Sequence, residues 1–175
     1  MRTFILSALL ALGPLFAFAQ PRPIARFYDK YKQFENVTDV KLQGWLLEIA
    51  TSFAEEDEDA RKLLDKITYL RVLVMDEGNL VSPGEYKSLL RDIRQSSFEE
   101  LFKVKEGQED ISFFIREKGD TITDVLLLVN GEDDFVLLSL EGLFKFSDLH
   151  NLNIDVDGAE HFEKIPEKKG DVPRA

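Results

Sequence analysis

The sequence predicts an α+β fold: a mostly antiparallel sheet of about five to six strands with helices packed on one face. Three observations predict it. Ile111 to Gly142 holds three β-rich runs parted by Lys118-Gly119-Asp120 and by Asn130-Gly131. The second pair is a strong hairpin signal because both residues tolerate positive φ. Connections this short force antiparallel neighbours, which gives a C-terminal three-stranded meander. Upstream, helical stripes pair with early strands and the strands then run consecutively, the order of an α+β chain.

In chain order, Met1-Arg2 is a short basic start, and Phe4 to Phe18 is an apolar run broken by Gly13-Pro14. Ala17-Phe18-Ala19 is a small-x-small cleavage site, so residues 1–19 read as a signal peptide too short to span a membrane. Residues 20–23 are a spacer and residues 24–162 a single domain. Ile24, Phe27, Tyr28, Tyr31 and Phe34 keep helical spacing. Asn36 to Val40 is β-favouring. Leu42, Trp45, Leu46, Ile49 and Phe53 return to helical spacing, with Gly44 a mild weakness inside it.

Glu55 to Asp59 places acids in the first turn of the next helix, where the dipole favours them. Ala60, Leu63, Leu64 and Ile67 are that helix's stripe. Thr68 to Met75 is a strand by its large β-formers. Ser82-Pro83-Gly84-Glu85 is a capping box, and Tyr86, Leu89, Leu90 and Ile93 form the stripe behind it. Glu100 to Lys105 adds a strand. Ser147 is the expected N-cap of a short helix carrying Leu149 and Leu152. Residues 163–175, charged and proline-punctuated, are expected to be disordered.

Lysine and arginine number 22 against 33 acids, a net charge of −11, and removal of Arg2 with the leader adds one further negative unit. Such a balance repels nucleic-acid phosphates and anionic membrane surfaces. There is no cysteine. Disulfides, thiolate metal sites, thiol catalysis and lipid attachment are therefore excluded, and the chain rests on its hydrophobic core. A leader without cysteines points to export in a bacterium, periplasmic or secreted and not lipid-anchored.

No catalytic constellation emerges. Ser147, Asp148 and His150 hold the residue types of a hydrolase triad, yet no nucleophile-elbow sequence is present and helix capping accounts for the first two. Asn153, Asp155 and Asp157, followed by Gly158, resemble the start of a calcium loop. Its twelfth place is Lys164 instead of a bidentate glutamate, so an acidic turn is the simpler account. Asn36-Val37-Thr38 and Asp120-Thr121-Ile122 match glycosylation acceptors only at chance length, and Thr121 serves equally as a strand start. No cofactor is implied.

The strands themselves carry the functional hint. Val125 to Val129 is apolar on both faces, and Phe113-Phe114 and Val136 to Leu138 repeat this. One face meets the helices, and the other is either covered by a terminal segment or hidden by a partner. Phe114, Leu126, Leu128 and Leu137 are the residues expected to line that binding surface. The partner class is an envelope protein or an apolar ligand.

The order of several stretches resembles the DUF4252 family of exported Bacteroidetes proteins. The likeness is carried by Phe27-Tyr28-Asp29-Lys30-Tyr31, Asn36 to Val40, Glu99 to Lys105, Ile111 to Ile115 and Phe135 to Gly142. It covers about Ile24 to Asp155. The resemblance implies a small envelope protein with no catalytic residues to carry over. Many relatives are lipoproteins, and this chain departs from them in lacking the lipobox cysteine. The reading is a non-enzymatic binding module, with a carboxylate- or Ser/His-dependent hydrolase and a calcium-dependent module as its rivals.

Overall fold

The computed structural model describes residues 22–44, 46–47 and 58–150. Four consecutive strands make one meander: β3 (Glu99–Glu106), β4 (Glu109–Lys118), β5 (Thr121–Asn130) and β6 (Phe135–Phe144). Two earlier strands, β1 (Thr38–Gln43) and β2 (Ile67–Met75), join beside β6. The result is a six-stranded, wholly antiparallel sheet in the order β1-β2-β6-β5-β4-β3. The α+β expectation holds, and the meander extends one strand further back than Ile111. The edge strands are blunted by exposed Lys41 on β1 and by Lys103 and Lys105 on β3.

Besides the helical pair Leu46-Leu47, four helices accompany the sheet among the described residues: α1 (Arg22–Tyr31), α2 (Glu58–Leu64), α3 (Pro83–Gln95) and α4 (Phe146–His150). The two longer ones share one face. Ile24, Tyr28 and Tyr31 of α1 and Tyr86, Leu89, Leu90 and Ile93 of α3 pack with Leu73, Phe114, Leu126, Leu128 and Leu137. The capping box that starts α3 is complete: Ser82 Oγ accepts the Glu85 N–H at 3.3 Å, and Glu85 Oε2 accepts the Ser82 N–H at 3.2 Å. Lys30 pairs with Glu85 and ties α1 to that helix start. The short helices α2 and α4 reach the opposite face, where Leu63, Phe146 and Leu149 join Ile111, Phe113, Val125 and Leu140.

Tyr28 locks α1 onto the sheet. Its hydroxyl lies 3.0 Å from the Leu137 carbonyl, 3.1 Å from that of Arg71 and 2.8 Å from Ser139 Oγ. Burial pushes the phenol well above its ordinary range, so it stays a donor. The Arg71 guanidinium sits 4.1 Å from the Tyr28 ring centroid and grips Asp39 with two 2.8 Å hydrogen bonds.

Local departures from expectation have nonlocal causes. Leu42 belongs to β1, opposite Leu70, and not to a helix; Gly44 ends that strand at φ +57. Of the helix expected over 42–53, only Leu46 and Leu47 fall among the helical described residues. Ile67 starts β2 opposite Gly142 and does not finish α2. Phe34 lies beyond the end of α1 and is exposed. Asn130 stays in β5, where Asn79 Nδ2 reaches its side chain at 3.2 Å and the Gly131 carbonyl at 2.8 Å. The turn therefore spans 131–134, closed by Gly131 N–H to the Asp134 carbonyl at 3.1 Å.

Gly142 sits where backbone meets backbone. A Cβ there would collide with the Lys66 carbonyl oxygen and the Phe144 ring. Gly142→Ala should lower unfolding free energy by about 1–3 kcal/mol, because a backbone carbonyl cannot swing aside as a side chain can. Denaturant unfolding checks it; an unchanged midpoint would mean that the strand shifts freely there. The expected signal peptide (residues 1–19), residues 153–157 and the tail expected to be disordered (163–175) lie outside the described residues.

Candidate functional site

One cross-strand row of polar side chains crosses the face that carries α1 and α3. Tyr69 of β2 opposes Glu141 of β6, Glu141 opposes Asp124 of β5, and Asp124 opposes Arg116 of β4. The register shifts in all three pairings beside these residues, between Ile67 and Tyr69, Ile122 and Asp124, and Arg116 and Glu117. Such bulges re-aim side chains. Here Asp124 comes to the helix-bearing face, while Ile122 packs on the other.

The row's two acids differ in their surroundings. Asp124 is 3% exposed, and Arg116 holds it in a fork with hydrogen bonds of 2.8 Å and 2.5 Å. The Thr123 hydroxyl donates to it at 2.6 Å, and the Phe98 ring lies 5.1 Å from the Arg116 guanidinium. Glu141 is 7% exposed, and no described side chain donates to its carboxylate. Burial, then the charge of Asp124, pushes its pKa up to about 7, against the opposing pull of Arg116 and Lys41. It can therefore exchange a proton at neutral pH.

Sequence reasoning missed this pair. A signal existed: Asp124 and Glu141 interrupt strands that are otherwise apolar in T-D-V-L-L and L-L-S-L-E-G. The candidates it did weigh fare differently. Ser147 is exposed, and Lys145, not Ser147, is the residue that precedes α4. Asp148 caps that helix by accepting the Lys145 N–H at 2.7 Å, and it pairs with Lys66 at 2.6 Å. The His150 side chain and residues Asn153, Asp155 and Asp157 lie outside the described set. Among the described residues no three His, Cys, Asp or Glu side chains group as metal ligands.

The expected binding surface needs correction. Phe114, Leu126, Leu128 and Leu137 do share one face, but α1 and α3 cover it and all four are buried. They do lie on one face, and that face is the covered one. Among the described residues, the opposite face is least covered along β1, β2 and β6. Its first row runs Val40, Val72, Leu138, Leu127, Phe113, and exposure falls from 42% at Val40 to 5% at Leu127 and 0% at Phe113. Val72 and Leu138 are half-buried. The next row places half-buried Val74 and Val136 beside exposed Thr38.

The family model for a domain of unknown function, DUF4252, matches residues 31–152, from the last residue of α1 past the end of α4. The chain belongs to the DUF4252 family. Both the polar row and the open apolar rows fall inside the matched DUF4252 region, whereas most of α1 precedes it. No curated protein and no solved structure matches the chain. Among the described residues of this DUF4252 protein, no helix is long and apolar enough to cross a membrane.

Proposed function

We propose that this DUF4252 protein is an exported, non-enzymatic binding protein of the bacterial envelope. It holds its partner on the sheet face opposite α1 and α3. The observation that carries this reading is the apolar stretch Val40, Val72, Val74, Val136 and Leu138, which the short helices leave partly uncovered. Exposed lysines on both edge strands disfavour addition of a further strand, so the face and not the edge is the contact surface. The fold also leaves Asp124 committed to Arg116, which argues against its use as a nucleophile or base.

Binding of the neutral dye Nile red to mature protein, together with capture from the cell envelope, tests this. Wild type should brighten the dye and retain a partner that folded Leu138→Ser releases. Absence of both in wild type would overturn the reading.

Acid–base hydrolysis is the second reading, favoured by the opposed carboxyls of Asp124 and Glu141. It gains only if a hydrolytic activity disappears in Glu141→Gln while the protein stays folded.

A further inference from the structure

We infer that Asn130-Gly131 is a site of spontaneous deamidation that the folded hairpin holds shut and unfolding opens. Of the five asparagines only Asn130 precedes a glycine; the others precede Val37, Leu80, Leu152 and Ile154. A side chain on the following residue shields the backbone nitrogen, and glycine has none. In the reaction the Gly131 nitrogen attacks Asn130 Cγ and a new C–N bond forms. The side-chain amide nitrogen leaves as ammonia, taking the Gly131 amide proton. Water then opens the cyclic imide at either carbonyl, leaving aspartate or isoaspartate.

The fold denies each requirement of ring closure. Asn130 is held extended in β5, opposite Phe135 of β6 and Asp110 of β4. Closing the ring needs a rotation about its Cα–C bond that would break this pairing. Its side chain is engaged by Asn79 Nδ2 at 3.2 Å, and the same nitrogen donates to the Gly131 carbonyl at 2.8 Å. Asn79 is fixed in turn, since its Oδ1 accepts the Val81 N–H at 2.8 Å. The attacking nitrogen is occupied as well: Gly131 is buried, and its N–H donates to the Asp134 carbonyl at 3.1 Å. Opening of the hairpin releases all of these at once. The product does not fit back. An aspartate at position 130 would stand opposite Asp110, with the Asp134 and Glu109 side chains beside Gly131. Like charges directly opposite destabilise a sheet. Isoaspartate lengthens the backbone and disrupts the ladder there. The site therefore records time spent unfolded, and conversion makes return to the fold harder.

Peptide mapping of aspartate and isoaspartate at position 130, in purified protein kept at mildly alkaline pH, tests the inference. It separates this site from Asp157-Gly158, which can form the same imide. In guanidinium-unfolded wild type, position 130 should convert, and Gly131→Ala should slow the conversion several-fold, a comparison made wholly in the unfolded state. Native wild type should convert at least roughly tenfold more slowly than the unfolded chain. Its rate should climb with guanidinium below the unfolding transition, as the open population grows. Folded Asn79→Ala should convert faster than native wild type. Absence of conversion in the unfolded chain would overturn the site. Equal native and unfolded rates, or a native rate that ignores guanidinium, would overturn the gating, and the guanidinium series decides this even if Asn79→Ala fails to fold. An unchanged rate in folded Asn79→Ala would overturn the hold assigned to Asn79.

Discussion

Arg116→Ala should lower unfolding free energy by about 3–5 kcal/mol, the usual consequence of stripping one partner from a buried ion pair. The physical reason lies in the cross-strand row. Asp124 is 3% exposed and depends on the guanidinium fork, with Thr123 as its remaining close donor. Without Arg116, two carboxyls on neighbouring strands face each other in a poorly solvated place with no countercharge from β4. The double variant Arg116→Ala, Asp124→Asn should recover a large part of the loss, because it removes the orphaned charge itself. Urea unfolding of the two variants and wild type measures this. A loss of less than about 1 kcal/mol would mean that water reaches the pair and screens it as at an ordinary surface.

Glu141→Gln should change how stability depends on pH. Burial raises the Glu141 pKa from 4.5 to about 7 in the folded protein, with the charge of Asp124 adding to the effect. A carboxyl whose folded pKa is raised contributes its stabilisation fully below the unfolded pKa and loses it as pH climbs to the folded value. Between pH 4.5 and about 7 this residue therefore makes wild type progressively less stable. The full rise corresponds to about 3 kcal/mol as an upper bound, and partial solvation reduces this to roughly 1–3 kcal/mol. Glu141→Gln should unfold later than wild type at pH 8 and show a flatter profile across that window. Parallel profiles for the two proteins would show that Glu141 titrates as an exposed acid does.

Local chemistry made part of this molecule readable. Ser82, Pro83 and Glu85 fit one helix start, and Tyr86, Leu89, Leu90 and Ile93 are all buried behind it. Val125 to Val129, apolar on both sides, is buried on both sides. What could not be read depends on pairing between distant segments. Leu42 has helical spacing to Leu46 but is held in β1 by β2. β6 lies beside β2 because the chain returns across the sheet, a placement that no local pattern encodes. For the same reason Tyr69, Arg116, Asp124 and Glu141 meet only in the folded sheet. Choosing between the two apolar faces also required the path of the chain. By local pattern the stripes of α1 and α3 can pack on either side, so the sequence alone does not show that Phe114, Leu126, Leu128 and Leu137 are the covered set.

Because the natural chain has no cysteine, a single introduced thiol reports its own accessibility without background. Leu138→Cys and Leu137→Cys place that thiol on opposite faces of β6, one on the open side and one beneath the helices. Maleimide labelling of the native proteins should modify the thiol at 138 readily, while the thiol at 137 reacts only on unfolding. Equal protection of both would contradict an open binding face, and with it the function proposed for this protein.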